Sequence, residues 1–140
     1  MNAKPPPIEI TSDSWPVVVA RFHSAPTDAE HEAFLDHFTQ LHRVGDVYAS
    51  VLVTMPDMPM TQPRHVRSTA NWIRRESDSI SKVCAGTAFV LPSPVARGVL
   101  RAVLYLQTLP NEHRVFKAEA DAIAWGYDQV QALQSKASGA

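Results

Sequence analysis

The sequence predicts an α/β domain: a small, mostly parallel sheet with one antiparallel strand at its N-terminal edge, in the order ββαβαβαβα. Three observations carry this. The segment Val83 to Leu91 is an apolar run broken only by Gly86 and Thr87, as in a strand covered on both faces, and Pro92-Ser93-Pro94 ends it. A helix follows at once: at 100° per residue Val95, Val99, Ala102, Val103, Leu106 and Leu109 form one stripe, expected to pack on the strand just left. Strand-like and helix-like stretches alternate along the whole chain, which argues for parallel crossovers.

The elements follow in order. Ile8 to Ile10 reads as an edge strand that turns at Ser12-Asp13-Ser14 into a stronger strand, Trp15 to Phe22, the two pairing as a hairpin. Thr27 with Glu30 three residues on is the capping-box pattern of a helix start, Phe34, Leu35, Phe38 and Leu41 give that helix its apolar stripe, and Gly45 ends it. Val47 to Thr54 is the next buried strand, and the two prolines of Met55 to Gln62 make a loop. In the helix after it Val66, Thr69, Ala70 and Ile73 face one way, while Arg64, Arg67, Asn71, Arg74 and Arg75 face the other, outward. After the central strand and helix come a turn at Pro110-Asn111, a short strand His113 to Phe116 and a helix Glu119 to Leu133, with Ile123, Tyr127, Val130 and Leu133 inward. One domain is expected over residues 8–134, with a proline-rich arm at 1–7 and a small-residue tail at 135–140.

Composition narrows the function. The chain has 140 residues and a net charge of −1, unevenly placed: residues 1–61 hold three Lys/Arg against eight Asp/Glu, residues 62–101 seven against two. A basic middle suits an anionic partner or self-association, but the arginines have no aromatic platform among them, so nucleic acid is disfavoured. The first ten residues lack the apolar stretch of a secretory signal, and no run approaches the roughly 20 apolar residues of a membrane span, so the expected location is the cytoplasm, with a peripheral membrane contact as the alternative. The single cysteine, Cys84, forms no internal disulfide and, inside an apolar strand, reads as a small core hydrophobe rather than a nucleophile.

With that order in place, the chain resembles the SpoIIAA-like proteins, relatives of the STAS domain, over roughly Ile8 to Leu133. The resemblance rests on Trp15-Pro16-Val17-Val18-Val19, on the strand and turn CAGTAFVLPSPVARG beginning at Cys84, and on Arg114-Val115-Phe116 followed by Glu119 to Trp125. It implies a small sheet with covering helices, action without catalysis, and either partner binding or reversible binding of apolar ligands and membranes, as in the related CRAL-TRIO lipid carriers. STAS anti-anti-sigma factors are switched by phosphorylation in an Asp-Ser-x-Gly motif after the third strand. Here Met55 to Gln62 stands in that place, with Thr61 its only hydroxyl and no glycine, so the switch is not carried over.

Candidate site residues follow from these readings. No Ser-His-Asp, glycine-rich or P-loop pattern is present, and no catalytic residue, cofactor or metal is assigned. His31 and His42 share one side of their helix but lie roughly 16 Å apart, too far for one ion, while His23, His65 and His113 sit in other elements. In an open parallel sheet ligands collect at the carboxyl ends of the strands, so Arg64, Arg67, Ser93 and Arg97, near two helix starts, are the candidate anion or ligand site. Met55, Met58 and Met60, with Leu100, Arg101, Leu104 and Tyr105 on the side of the central helix away from its stripe, are the candidate surface for a protein partner, a second copy or a lipid surface.

Overall fold

A computed structural model describes residues 6–55 and 62–138. Its elements are β1 (Ile8–Thr11), β2 (Val17–Phe22), α1 (Asp28–Val44), β3 (Tyr48–Thr54), α2 (Pro63–Arg75), α3 (Ser77–Val83), β4 (Cys84–Val90), α4 (Pro94–Leu106), β5 (His113–Phe116) and α5 (Glu119–Ser138). The strands form one sheet in the order β1-β2-β3-β4-β5, with β1 antiparallel to β2 and every later neighbour parallel. The fold class and the antiparallel edge are as the sequence predicts. The element order gains one helix, α3, seven residues or about two turns long, that buries only Ile80 and so carries no apolar period to read. The segment expected as a tail continues α5 as far as Ser138.

Two cores lie on opposite sides of the sheet. Val18 and Ala20 of β2 and Tyr48 of β3 pack with α1 to α4 through Phe34, Phe38, Trp72 and Val103. Val17, Val19, Val51, Val53 and Ala88 point the other way, onto Ala122 and Val130 of α5. Period-two alternation along β2 and β3 produces this division. The entry to α5 is pinned by charge: Arg21 on β2 donates from Nε and Nη2 to Glu119 at 2.8 and 2.9 Å, a bidentate pair that raises the Arg21 pKa and lowers that of Glu119. Tyr127, expected inward, instead lies exposed and donates its hydroxyl to the Ser14 carbonyl at 2.7 Å.

The start of α1 is built as its sequence requires. Glu30 N donates to Thr27 Oγ1 at 3.2 Å, Thr27 N donates to Glu30 Oε1 at 2.8 Å, and Gly45 closes the helix at a φ of +87° with its N–H on the Leu41 carbonyl.

One irregularity in the sheet matters more than the rest. Tyr48 pairs with Cys84 and Ser50 with Thr87, so two steps along β3 oppose three along β4. The extra residue reverses the alternation of β4. Cys84 and Thr87 both face α1 to α4, while Ala85 packs on the α5 side and Gly86 meets the Trp125 ring. A Cβ at Gly86 would lie 2.7 Å from Trp125 Cη2. Gly86→Ala is therefore expected to destabilise the fold by about 1–3 kcal/mol through forced displacement of that ring. Urea melts followed by Trp emission measure it; an unchanged midpoint would show that the ring moves freely.

Candidate ligand site

Between the sheet and the helices lies an apolar cavity of about 190 Å³. β3 and β4 form its floor, α1 and α2 its side, and α4 its roof. Alternation along β3 sends Tyr48, Ser50, Leu52 and Thr54 to this floor, and the reversed alternation of β4 adds Cys84, Thr87 and Phe89. The roof comes from Ala96, Val99, Leu100, Val103 and Leu104. This corrects the expected orientation of α4. Leu100 and Leu104 face the cavity, while Val95 and Leu106, assigned to the core stripe, are 48% and 45% exposed. Arg97 and Arg101 mark the outward side of the helix, but apolar residues occupy both flanks of the opposite side; docking beside α2, where Arg74 Nε donates to Gln107 Oε1 at 3.2 Å, decides which flank turns in.

Two polar arrangements stand at the two ends of the cavity. At the end where β3 begins, His42 Nδ1 lies 2.7 Å from Glu76 Oε1 and His42 Nε2 lies 2.8 Å from Tyr48 Oη. The carboxylate only accepts, so His42 donates from Nδ1, and its Nε2 hydrogen-bonds to the Tyr48 hydroxyl. Trp72 stacks on His42 at 5.6 Å and donates Nε1–H to Thr39. Burial first, and then the neighbouring Cys84, push the Tyr48 phenol well above its ordinary range, and burial likewise raises the Cys84 thiol, so both stay neutral. Beside them Ser50 Oγ donates to Thr87 Oγ1 at 3.2 Å, and Asn111 Nδ2 reaches the same oxygen at 3.4 Å.

At the opposite end, where α1 and α2 begin, His31 and His65 stack face to face with centroids 4.4 Å apart and planes 1° from parallel. Thr69 gives its proton to the His65 carbonyl, so it accepts from His31 Nε2–H at 3.1 Å. His65 Nε2–H donates to Asp28 Oδ1 at 2.8 Å, and Arg64 Nε donates to the same carboxylate, which with His65 holds the Asp28 pKa low. Thr54 Oγ1 is buried with no hydrogen-bond partner among the described residues.

The residues expected at the site fall in three places. Arg64 is exposed and paired with Asp28, and Arg67 is exposed on the outer face of α2. Ser93 caps α4 by accepting from Ala96 N at 3.1 Å, and the Arg97 guanidinium donates to the Leu91 carbonyl at 3.3 Å. The anion set is thus largely engaged with its own backbone and with Asp28, outside the cavity. Met55 packs on the α5 side of the sheet rather than over the cavity, and Met58 and Met60 lie outside the described residues. Arg101 and Tyr105 do point outward, Tyr105 being 89% exposed.

On the sequence alone His31, His42 and His65 are weighed only as metal ligands and are not joined with Tyr48 and Trp72. A signal for joining them was present in part: His31 and His42 fall on the stripe of Phe34, Leu35 and Phe38, so both were destined for burial. No group of three His, Cys, Asp or Glu among the described residues is placed to hold a metal ion.

No family model matches the sequence, and no curated protein does. Among solved structures, an uncharacterised protein of the DUF3478 family from Shewanella loihica PV-4, described as having a SpoIIAA-like fold, aligns with a TM-score of 0.62 at 11% identity, over 90% of this chain and 98% of its own. The chain therefore has a SpoIIAA-like α/β fold enclosing an apolar cavity. No helix among the described residues is long and apolar enough to cross a membrane.

The stacked histidines generate a pH dependence. Burial first, and then the neighbouring His65, depress His31 to about 4, against a partial opposing pull from Asp28. A depressed histidine contributes stability that is complete above its unfolded pKa of 6.5 and is lost as pH falls toward 4. Moving from about pH 7.5 to about pH 4.5 should therefore cost wild type about 2 kcal/mol more than His31→Gln, which removes the titration. Equal losses in urea melts at the two pH values would show that His31 is not the group responsible.

Proposed function

We propose that this SpoIIAA-like module acts by binding a small apolar ligand in the cavity under α4, as a carrier or sensor rather than a catalyst. One observation carries this reading: the cavity wall contains no Lys, Arg, Asp or Glu among the described residues and is built from aliphatic and aromatic side chains of the sheet, α1, α2 and α4. Unfilled apolar volume costs packing energy, which an apolar ligand in the cavity would recover.

The test uses aminoanthracene, a neutral apolar fluorophore. Wild type is expected to bind it with a blue-shifted emission. Val99→Trp, which projects a large ring from the roof into the cavity, should weaken binding by at least about tenfold while keeping a cooperative thermal melt. Equal binding by the variant would place the probe elsewhere and remove the reading's support.

A second reading has its own observation. On the outward side of α4, Val95, Tyr105 and Leu106 are 48%, 89% and 45% exposed, with Arg101 exposed among them. This face suits a protein partner or a second copy of the chain. Light scattering over rising concentration, with and without anionic liposomes, distinguishes the cases: growth in mass that Tyr105→Glu abolishes supports a contact between copies, liposome capture a lipid surface, and a constant monomer in both conditions counts against the face.

A further inference from the structure

Resting on the proposed apolar-ligand reading, we infer that the ligand carries an uncharged hydrogen-bonding head, a hydroxyl or a carbonyl, and that the Ser50–Thr87 pair on the cavity floor receives it. The inference comes from where polarity lies on the floor. Ser50 and Thr87 are buried at 6% and 7% exposure in neighbouring strands, brought side by side only because the extra residue in β4 turns Thr87 inward. Both line the cavity.

Their hydrogen-bonding capacity is incompletely used. Thr87 Oγ1 accepts from Ser50 at 3.2 Å and from Asn111 at 3.4 Å, which leaves its own proton facing the Cys84 sulfur at 3.8 Å, a weak acceptor. Ser50 gives its proton to Thr87, and its lone pairs meet the same sulfur at 3.9 Å. Besides Thr54 Oγ1, four residues further along β3, the floor therefore offers one donor and one acceptor at adjacent positions in the Ser50–Thr87 pair, which matches an alcohol that both accepts and donates, or a carbonyl that accepts.

Charge excludes the alternatives. A carboxylate or phosphate at this point would be buried with no lysine or arginine on the wall among the described residues, and an ammonium with no aspartate or glutamate among them. Glu76, the carboxylate closest to this end through the hydrogen-bond chain, is already committed to His42, and the Tyr48 hydroxyl to the same ring. The histidine pair and its Asp28 partner stand at the other end, where α1 and α2 begin. The arginines read from the sequence as an anion site lie outside the cavity altogether.

The experiment displaces bound aminoanthracene from the full-length protein with three amphiphiles of one chain length: decanol, decanoate and decylamine, at about pH 8, where the acid is fully ionised and the amine cationic. Decanol is expected to displace the probe at a concentration at least about tenfold below either charged homologue. A Ser50→Ala/Thr87→Val double variant should weaken decanol by about three- to tenfold, the worth of one or two neutral hydrogen bonds, after correction for that variant's own affinity for aminoanthracene. Decanoate or decylamine matching decanol overturns the head-group inference while leaving the cavity reading intact, because the probe is still displaced. An undiminished decanol affinity in the double variant overturns the assignment to Ser50 and Thr87. Failure of aminoanthracene to bind wild type overturns both readings together. If the double variant does not fold, Thr87→Val against Thr87→Ser makes the same comparison, since serine restores the hydroxyl and valine does not.

Discussion

A single inserted residue in β4 sets the character of the cavity. In a regular strand Cys84 and Thr87, three apart, would point to opposite faces. The bulge puts both under the helices, aligns Thr87 with Ser50 and hands Gly86 to the other side, where Trp125 of α5 takes the space a side chain would need. One backbone irregularity thus adds the Thr87 hydroxyl to a floor that already carries Ser50 and seats the helix on the far face. Bulges commonly re-aim side chains in this way, and glycine is the residue that tolerates the resulting close approach.

Polar groups also tie the helices that wall the cavity. Glu76 at the end of α2, His42 in the last turn of α1 and Tyr48 at the start of β3 form a hydrogen-bonded chain in which both ring nitrogens of His42 have a partner. Buried groups so arranged cost little once all are satisfied and much if one is removed, which holds the far ends of α1 and α2 to the sheet. At the near ends the His31–His65 stack, with Thr69 and Asp28, makes the corresponding link. The two links lie along α1 on one face, about three turns apart, and the cavity occupies the span between them.

α4 differs from the other covering helices. Its apolar side roofs the cavity beside α2, and its outer side presents Tyr105 and Leu106 together with Arg97 and Arg101. The two functional readings draw on these two faces, one on each.

Much of the fold was legible. Alternating apolar runs, the capping box at Thr27 and Glu30, Gly45 after α1 and Pro92-Ser93-Pro94 after β4 mark boundaries by local chemistry, which acts without reference to distant residues. α3 was not legible, because a short helix that buries only Ile80 leaves no period. The site was mostly hidden. Its arginines were read from helix starts, yet Asp28 and the Leu91 carbonyl engage Arg64 and Arg97, partners that only the folded chain supplies.

The sequence alone determined the class of fold, the antiparallel edge, the start and stop of α1 and the outward arginines of α2, since each follows from short-range spacing. Tertiary structure decided which side of α4 faces in, that residues 34 positions apart, His31 and His65, stack as one pair, and that Ser50 and Thr87 share a floor. Those outcomes depend on strand register and helix docking, which are set by the fit of the whole core rather than by any window of the chain.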